Sequence, residues 1–471
     1  MCLYHWETMK KIILAALLVS VGVGLATAPT TNASSLSTTT RATSSLGTTL
    51  PGTWIEKQSP RTVSQDGRVT VFTTNYDTLI PGDGNGYSDV FAFDRVTKQT
   101  ELISRGPDGK AGNNLSHRAS VSPDGRYVAF TSLAKNLLAD ASLTDCGGTP
   151  CINVFVYDRV TKKQTLANLN TLGQRIGIDE RMSFEFGPIL SRDGKSVVFT
   201  TEHPIEPGDT NNNQDVAVRD LSTGVTRIAS TNNDGQVVTS GNNEATMSYD
   251  GRYVAFTAFS PLVPEDTNET FDVYRRDMQT GNIMLISKTM NGGIANRASN
   301  QAVISGDGQF VAYISRATNI VPGDTNENND VFVYNVQTGT TQRINVTSRG
   351  NQAVGETYYP DISYDGRYVV YGSLASNLVP ADSNDAIDIF LYDRSVNLTR
   401  RINRGSHDGV QANNWSFFSS ISGDGKTVAF MSYATNLSGE ANIPPTQLYQ
   451  VHNPVVHIPF YDSYSTIDLY H

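Results

Sequence analysis

The sequence predicts an all-β fold, a β-propeller of four-stranded antiparallel blades, and three observations predict it. The first is the stretch 305–346, SGDGQFVAYISRATNIVPGDTNENNDVFVYNVQTGTTQRINV. Its runs at 310–314 and 331–334 are rich in aromatic and β-branched residues, which suit a pleated, half-buried surface. Asp307-Gly308 reads as a tight two-residue hairpin turn with positive φ at both positions, and Thr338-Gly339 as a longer hairpin loop with glycine in the left-handed position. The unit is therefore strand, turn, strand, long polar loop, strand, turn, strand.

The second observation is recurrence. The Asp-Gly pair returns at Asp66, Asp124, Asp193, Asp250, Asp307, Asp365 and Asp424, with spacings of 58, 69, 57, 57, 58 and 59 residues. Four-stranded units repeating at this length cannot bury their faces alone and stack on their neighbours as propeller blades. The third is the lack of any alternating βα pattern, which disfavours parallel α/β folds. Seven blades are expected, with six or eight left open by the unknown ring closure.

Taken in order, the chain opens with MCLYHWET and then Lys10, Lys11 and an apolar run over 12–25, followed by Ala26, Ala28 and Ala33. This reads as a secretory signal peptide over 1–33, with Met9 as an alternative start and cleavage after Ala33. The apolar run is too short and too rich in small residues at its end for a stable membrane span. Residues 34–52 read as a Ser/Thr-rich linker, and the propeller is expected over 53–471 as one domain. Two closures of the ring are open: an outer strand from 455–460, or one from 53–57.

Net charge is −10, and loss of Lys10, Lys11 and Glu7 with the leader leaves the chain slightly more acidic still. With no basic run against that background, nucleic acid and anionic membranes are poor partners. Cys146 and Cys151 in DCGGTPC are expected to form a local disulfide rather than half of a metal site, since two further soft ligands would be needed. An exported, secreted or periplasmic monomer follows from these readings.

Second strands VTVFTT, YVAFTS, SVVFTT, YVAFTA, FVAYIS, YVVYGS and TVAFMS can be laid against third strands DVFAFD, NVFVYD, DVAVRD, DVYRRD, DVFVYN, DIFLYD and, more weakly, QLYQVH. S-x-D-G-[RK]-x-V-A-F followed by D-V-F-V-Y-D and T-G resembles the repeat of TolB-type propellers over about residues 60–452. TolB itself has six blades and a separate N-terminal α/β domain, which this pattern lacks. The resemblance therefore implies a stand-alone exported propeller of that repeat type, most of which have no assigned activity, rather than TolB's envelope role.

Propeller geometry places the short turns on one face and the long loops and crossovers on the other, where function is expected. Five of those loops carry D-x-N-x-x-x-D: Asp83, Asn85, Asp89; Asp209, Asn211, Asp215; Asp266, Asn268, Asp272; Asp324, Asn326, Asp330; Asp382, Asn384, Asp388. Alternating oxygen ligands closed by a carboxylate suit a calcium loop, although each supplies only two carboxylates and one amide towards the 6–8 oxygens calcium takes. The competing reading is that Asp and Asn cap a tight turn through their own backbone. Blade 2 replaces the loop with the cysteine segment and blade 7 with GEANIPP, so both are places for a blade-specific contact.

Catalytic signatures are scarce: neither G-x-S-x-G nor H-E-x-x-H occurs. His117, His203 and His407 fall on the long-loop face and are the handle for a metal-dependent lyase, against the reading that they are exposed surface histidines. Tyr358, Tyr359, Trp415, Phe417 and Phe418 precede inner strands and could line a sugar or peptide pocket at the central mouth, or pack between blades. Two functions follow. One is a non-catalytic module that binds a protein or glycan through the long-loop face. The other is a metal-dependent polysaccharide lyase, or another hydrolytic enzyme, with its site at the mouth.

Overall fold

The structure, a computed structural model, describes residues 40–41, 60–77, 79–139, 151–179, 187–206, 208–211, 213–237, 241–405, 410–437 and 447–452, the side chains of 40, 41, 242, 243 and 452 excepted. The signal segment 1–33, both ring-closing stretches considered above, Cys146, His407 and the variant loops of blades 2 and 7 lie outside the described residues.

Seven antiparallel sheets follow one another along the chain. Blade 5 is typical, with strands Ser299–Ile304, Phe310–Ser315, Asp330–Asn335 and Thr340–Arg343 running outwards from the axis. Blade 1 begins with a bridge between Val63 and Thr70 in place of a full inner strand. In blade 2 a short extra strand, Ile178–Asp179, pairs with the third strand, Cys151–Asp158. No helix among the described residues is long and apolar enough to cross a membrane.

Second and third strands are apolar on both faces because each blade is sandwiched between two others. Seven hydrophobic clusters fill the seven seams between neighbouring blades. One of them joins Val63, Phe72, Phe91 and Phe93 of blade 1 to Ala429, Met431 and Leu448 of blade 7, so the ring closes at seven. The outermost strand of blade 7 is Thr40–Arg41, which pairs with Gln447–His452. Closure thus uses a segment N-terminal to the blades, taken from within the stretch expected to be linker.

The short turn differs from the two-residue hairpin expected. It opens at the serine: Ser305 N–H bonds Phe310 O at 2.8 Å and Gly308 N–H bonds Ser305 O at 3.0 Å. Among the turn residues only glycine takes positive φ, +72° at Gly308. Aspartate is there for its side chain, whose Oδ1 accepts from the serine hydroxyl and from the N–H two residues on, as at Asp365 (2.8 and 3.0 Å). The glycine has a second reason to be there. A Cβ on Gly308 would fall 2.3 Å from the Tyr253 ring of blade 4, and one on Gly425 2.3 Å from Tyr368 of blade 6. Where this position is aromatic, at Tyr127, Tyr253, Phe310 and Tyr368, the ring packs on the bare glycine of the next blade.

The basic residue after the glycine reaches the last residue of the third strand. Arg126 pairs with Asp158 at 2.7 Å, Arg252 with Asp277 at 2.7 Å and Arg367 with Asp393 at 2.8 Å. The same aspartates cap the outer hairpin, as Asp393 does for Ser395 N–H at 2.9 Å.

Candidate functional site

The inner strands line the axis, and they share one irregularity. Where residues four before the turn serine fall in described bulges, the backbone is left-handed at a bulky side chain: Arg118 (φ 54°), Glu244 (55°), Gln301 (54°), Tyr359 (51°) and Phe418 (51°). Such residues adopt this conformation rarely and at a cost, so five in one register mark a built feature. The bulges link the blades to one another near the axis. Glu244 carboxylate accepts the Gln301 N–H, and Gln301 Oε1 accepts the Tyr359 N–H at 2.8 Å. The Tyr359 and Phe418 rings then meet with centroids 4.8 Å apart.

Below this level the channel is filled. Arg61 enters from blade 1 and donates through its guanidinium to Met247 O of blade 4 and to Ile304 O of blade 5 (2.6 Å). Burial holds its pKa below the usual value, with Tyr249 and Asp361 acting in the opposite direction. Asp361 of blade 6 accepts from Ser420 Oγ (2.7 Å) and Ile421 N–H (3.0 Å), and burial pushes its carboxyl upward. At the short-turn end the Tyr249 and Tyr364 rings meet with centroids 5.3 Å apart, tilted by 55°. A Cβ on Gly306 would fall 2.3 Å from Tyr364, and one on Gly423 2.5 Å from the Tyr249 hydroxyl. Access to the axis is left to the long-loop face.

There the aromatic residues form a cluster over blades 6 and 7. Tyr358 and Tyr359 lie 6.2 Å apart, Phe417 and Phe418 5.0 Å, and Phe417 and Tyr433 5.1 Å. All five, and Trp415 beside them, are half-buried. Burial and the nearby Glu356 push the Tyr358 phenol up to about 12. Glu356 is itself held by Arg316 at 2.7 Å.

The histidines behave differently. His117, expected on the exposed face, is 8% exposed and stands opposite Thr131 in the blade 2 sheet. Burial, with Arg118 adding to it, lowers its pKa to about 3, and its Nδ1 has no hydrogen-bond partner. The ring is thus packed in the sheet rather than on the exposed face. His203 is half-exposed, 3.9 Å from Glu202. Among the described residues no three His, Cys, Asp or Glu side chains gather where they could hold a metal.

In the five D-x-N-x-x-x-D loops the asparagine makes the turn. Its Oδ1 accepts the N–H two residues on: Tyr87 to Asn85 (2.7 Å), Asn213 to Asn211 (2.8 Å), Thr270 to Asn268 (3.2 Å), Asn328 to Asn326 (3.1 Å) and Ala386 to Asn384 (3.1 Å). The closing aspartate bonds the following crossover, as Ser104 donates to Asp89 (2.5 Å) and Asn403 to Asp388 (2.6 Å). In blades 5 and 6 the carboxylate pair also holds a protein cation. Arg343 Nη1 lies 3.5 Å from Asp324 and 3.3 Å from Asp330, and Arg401 Nη1 lies 3.4 Å from Asp382 and 3.3 Å from Asp388. Calcium at those two expected sites would have to displace an arginine. Blade 1 has no such arginine at the corresponding Leu102, and burial pushes Asp83 to about 6 and Asp89 to about 7.

No protein-family model matches the chain, and no curated protein matches its sequence. Solved structures do share the fold. An oligogalacturonate lyase from Vibrio parahaemolyticus superposes with a TM-score of 0.52 at 14% identity, covering 88% of this chain and 93% of its own. An oligogalacturonate lyase in complex with manganese gives 0.51 at 13%, with the same coverage. A TolB structure from Agrobacterium tumefaciens gives 0.39 at 13%, covering 82% of this chain and 99% of its own, a score too low to argue from. At these identities the likeness establishes the propeller and nothing finer.

Proposed function

We propose that the chain is an exported, non-catalytic propeller of the TolB-type repeat class that binds a glycan or protein through the long-loop face, at the aromatic ledge of blades 6 and 7. The observation that carries this reading is the contact of Tyr359 with Phe418, made on two left-handed bulges and left half-exposed over a filled channel. Flat aromatic faces with a polar handle suit sugar rings and apolar peptide side chains. Backbone strain retained at both residues is spent on holding those faces in place. The motif-bearing turns support the repeat assignment, and the leader over 1–33 and the Cys146–Cys151 bridge belong to the same exported reading.

The test is retention of the purified chain on an immobilised panel of polysaccharides and envelope proteins, with product analysis of the soluble fraction. Saturable retention without products supports the binding module.

A second reading, a metal-dependent polysaccharide lyase, is favoured by one observation, the shared fold of the two oligogalacturonate lyases. Its test is release of unsaturated products from oligogalacturonate with added manganese.

A further inference from the structure

We infer that blade 4 carries a calcium site at Asp266 and Asp272, in the place where blades 5 and 6 hold an arginine. The repeat supplies its own comparison. In blade 5 the Oδ2 of Asp330 is met by Arg343 Nη1 at 3.3 Å and by Gln352 Nε2 at 3.0 Å, and that glutamine also reaches Asp324 at 2.8 Å. Blade 6 repeats this through Arg401 (3.3 Å) and Gln411 (2.9 Å) on Asp388, with Gln411 also reaching Asp382 at 2.7 Å. Two carboxylates thus converge on one point, and one cation and one amide fill it.

In blade 4 both donors are gone. The positions of Arg343 and Gln352 in the repeat are taken by Leu285 and Ile294, which can donate nothing. Asp272 is fully buried; its Oδ1 accepts the Ser287 hydroxyl at 2.6 Å, and its Oδ2 has no hydrogen-bond partner. Asn268 stands beside Asp272 and favours its charged form, but its amide is engaged by Ala295 O at 2.9 Å. Asp266 is 5% exposed and accepts a hydrogen bond from the Tyr274 hydroxyl.

A buried carboxylate oxygen with no counter-charge is costly, and a cation from solution supplies what Arg343 supplies one blade on. The surroundings choose the ion. The two carboxylates and the neighbouring asparagine amide offer hard oxygen ligands, with no thiolate or imidazole among them, which suits calcium over zinc or copper. Two carboxylates place its affinity in the weak class, about 0.1–1 mM.

The experiment is calcium titration of the full chain by calorimetry, with magnesium as control, on the wild type and on two variants. Leu285→Arg/Ile294→Gln installs the blade 5 donors, and Asp272→Asn removes the charge. Terbium luminescence excited through tyrosine gives a second readout, because Tyr274 bonds Asp266 directly. The expected result is loss of one calcium equivalent in Leu285→Arg/Ile294→Gln with its melting transition kept, and loss of the tyrosine-sensitised signal in the same variant. Should Asp272→Asn fail to fold, the double variant decides alone. No calcium heat in the wild type at about 10 mM, well above that range, would overturn the inference. So would an unchanged stoichiometry in a folded double variant.

Discussion

Tyr359 and Phe418 face each other across the seam between blades 6 and 7, ring centroids 4.8 Å apart and tilted by 58°, each on a left-handed bulge. The Tyr359 backbone is held in turn by Gln301, and Gln301 by Glu244, so one chain of contacts runs over blades 4 to 7. Position on the inner strands sets these side chains at the axis, and the bulge re-aims them.

Arg61 pins the channel by donating to two carbonyls on different blades. Arg61→Met leaves those carbonyls and the buried Asp361 without their cation. We expect a loss of about 3–5 kcal/mol, as for breaking a buried charged network from one side. Urea denaturation of both proteins measures it, and a loss below about 1 kcal/mol, the worth of an ordinary hydrogen bond, would show that Arg61 is not a pin.

Gly308→Ala meets both of the glycine's constraints, a φ of +72° and the Tyr253 ring at 2.3 Å from the new Cβ. Steric displacement of the ring adds to about 1–2 kcal/mol of backbone strain. The melting temperature should fall, and a variant that also carries Tyr253→Ala should show a smaller further effect of the glycine change, since the pair is in contact.

Lys98 is the converse case. It is exposed, with φ of 58°, in a turn position where blades 3, 4 and 5 carry Gly224, Gly281 and Gly339. Lys98→Gly removes that strain, and stability should rise by about 0.5–1 kcal/mol. A lower midpoint of unfolding would contradict the strain argument.

His117 makes stability depend on pH. Its folded pKa is about 3, below the ordinary value of 6.5, because burial disfavours the charged ring. The unfolded chain therefore binds more protons between those values, and stability falls as pH drops through that window, by up to about 1.4 kcal/mol per unit. It is fully present above about 6.5. His117→Gln should flatten this part of the pH profile in thermal melts, and an unchanged slope would rule His117 out as its source.

The blades were legible because the repeat states them seven times, with Asp-Gly pairs at nearly constant spacing apart from the stretched interval between Asp124 and Asp193. The turn's mechanism was not, since S-x-D-G reads like a two-residue hairpin until Ser305 is seen closing on Phe310. Of the site, Tyr358, Tyr359, Trp415 and Phe417 were visible as aromatics before inner strands. Glu244, Gln301 and Arg61 were not. Left-handed backbone is ordinarily signalled by glycine or asparagine, and none stands at those positions. Aligning the repeats on the turn serine would have exposed the bulky register. His117 was misplaced because one histidine carries no burial signal of its own. The arginine caps of blades 5 and 6 were missed because Arg343 lies 13 residues beyond Asp330, on a different strand.

The most direct measurement is ligand titration monitored by Trp415 fluorescence, on the wild type and on Tyr359→Ala/Phe418→Ala. Candidates retained from the polysaccharide and protein panel serve as ligands, and each mixture is checked for product. A saturable change is expected in the wild type, with affinity at least about tenfold weaker in the variant (about 1.4 kcal/mol), and no product from either. Equal affinity in both proteins, or turnover that the variant loses, would contradict the binding reading.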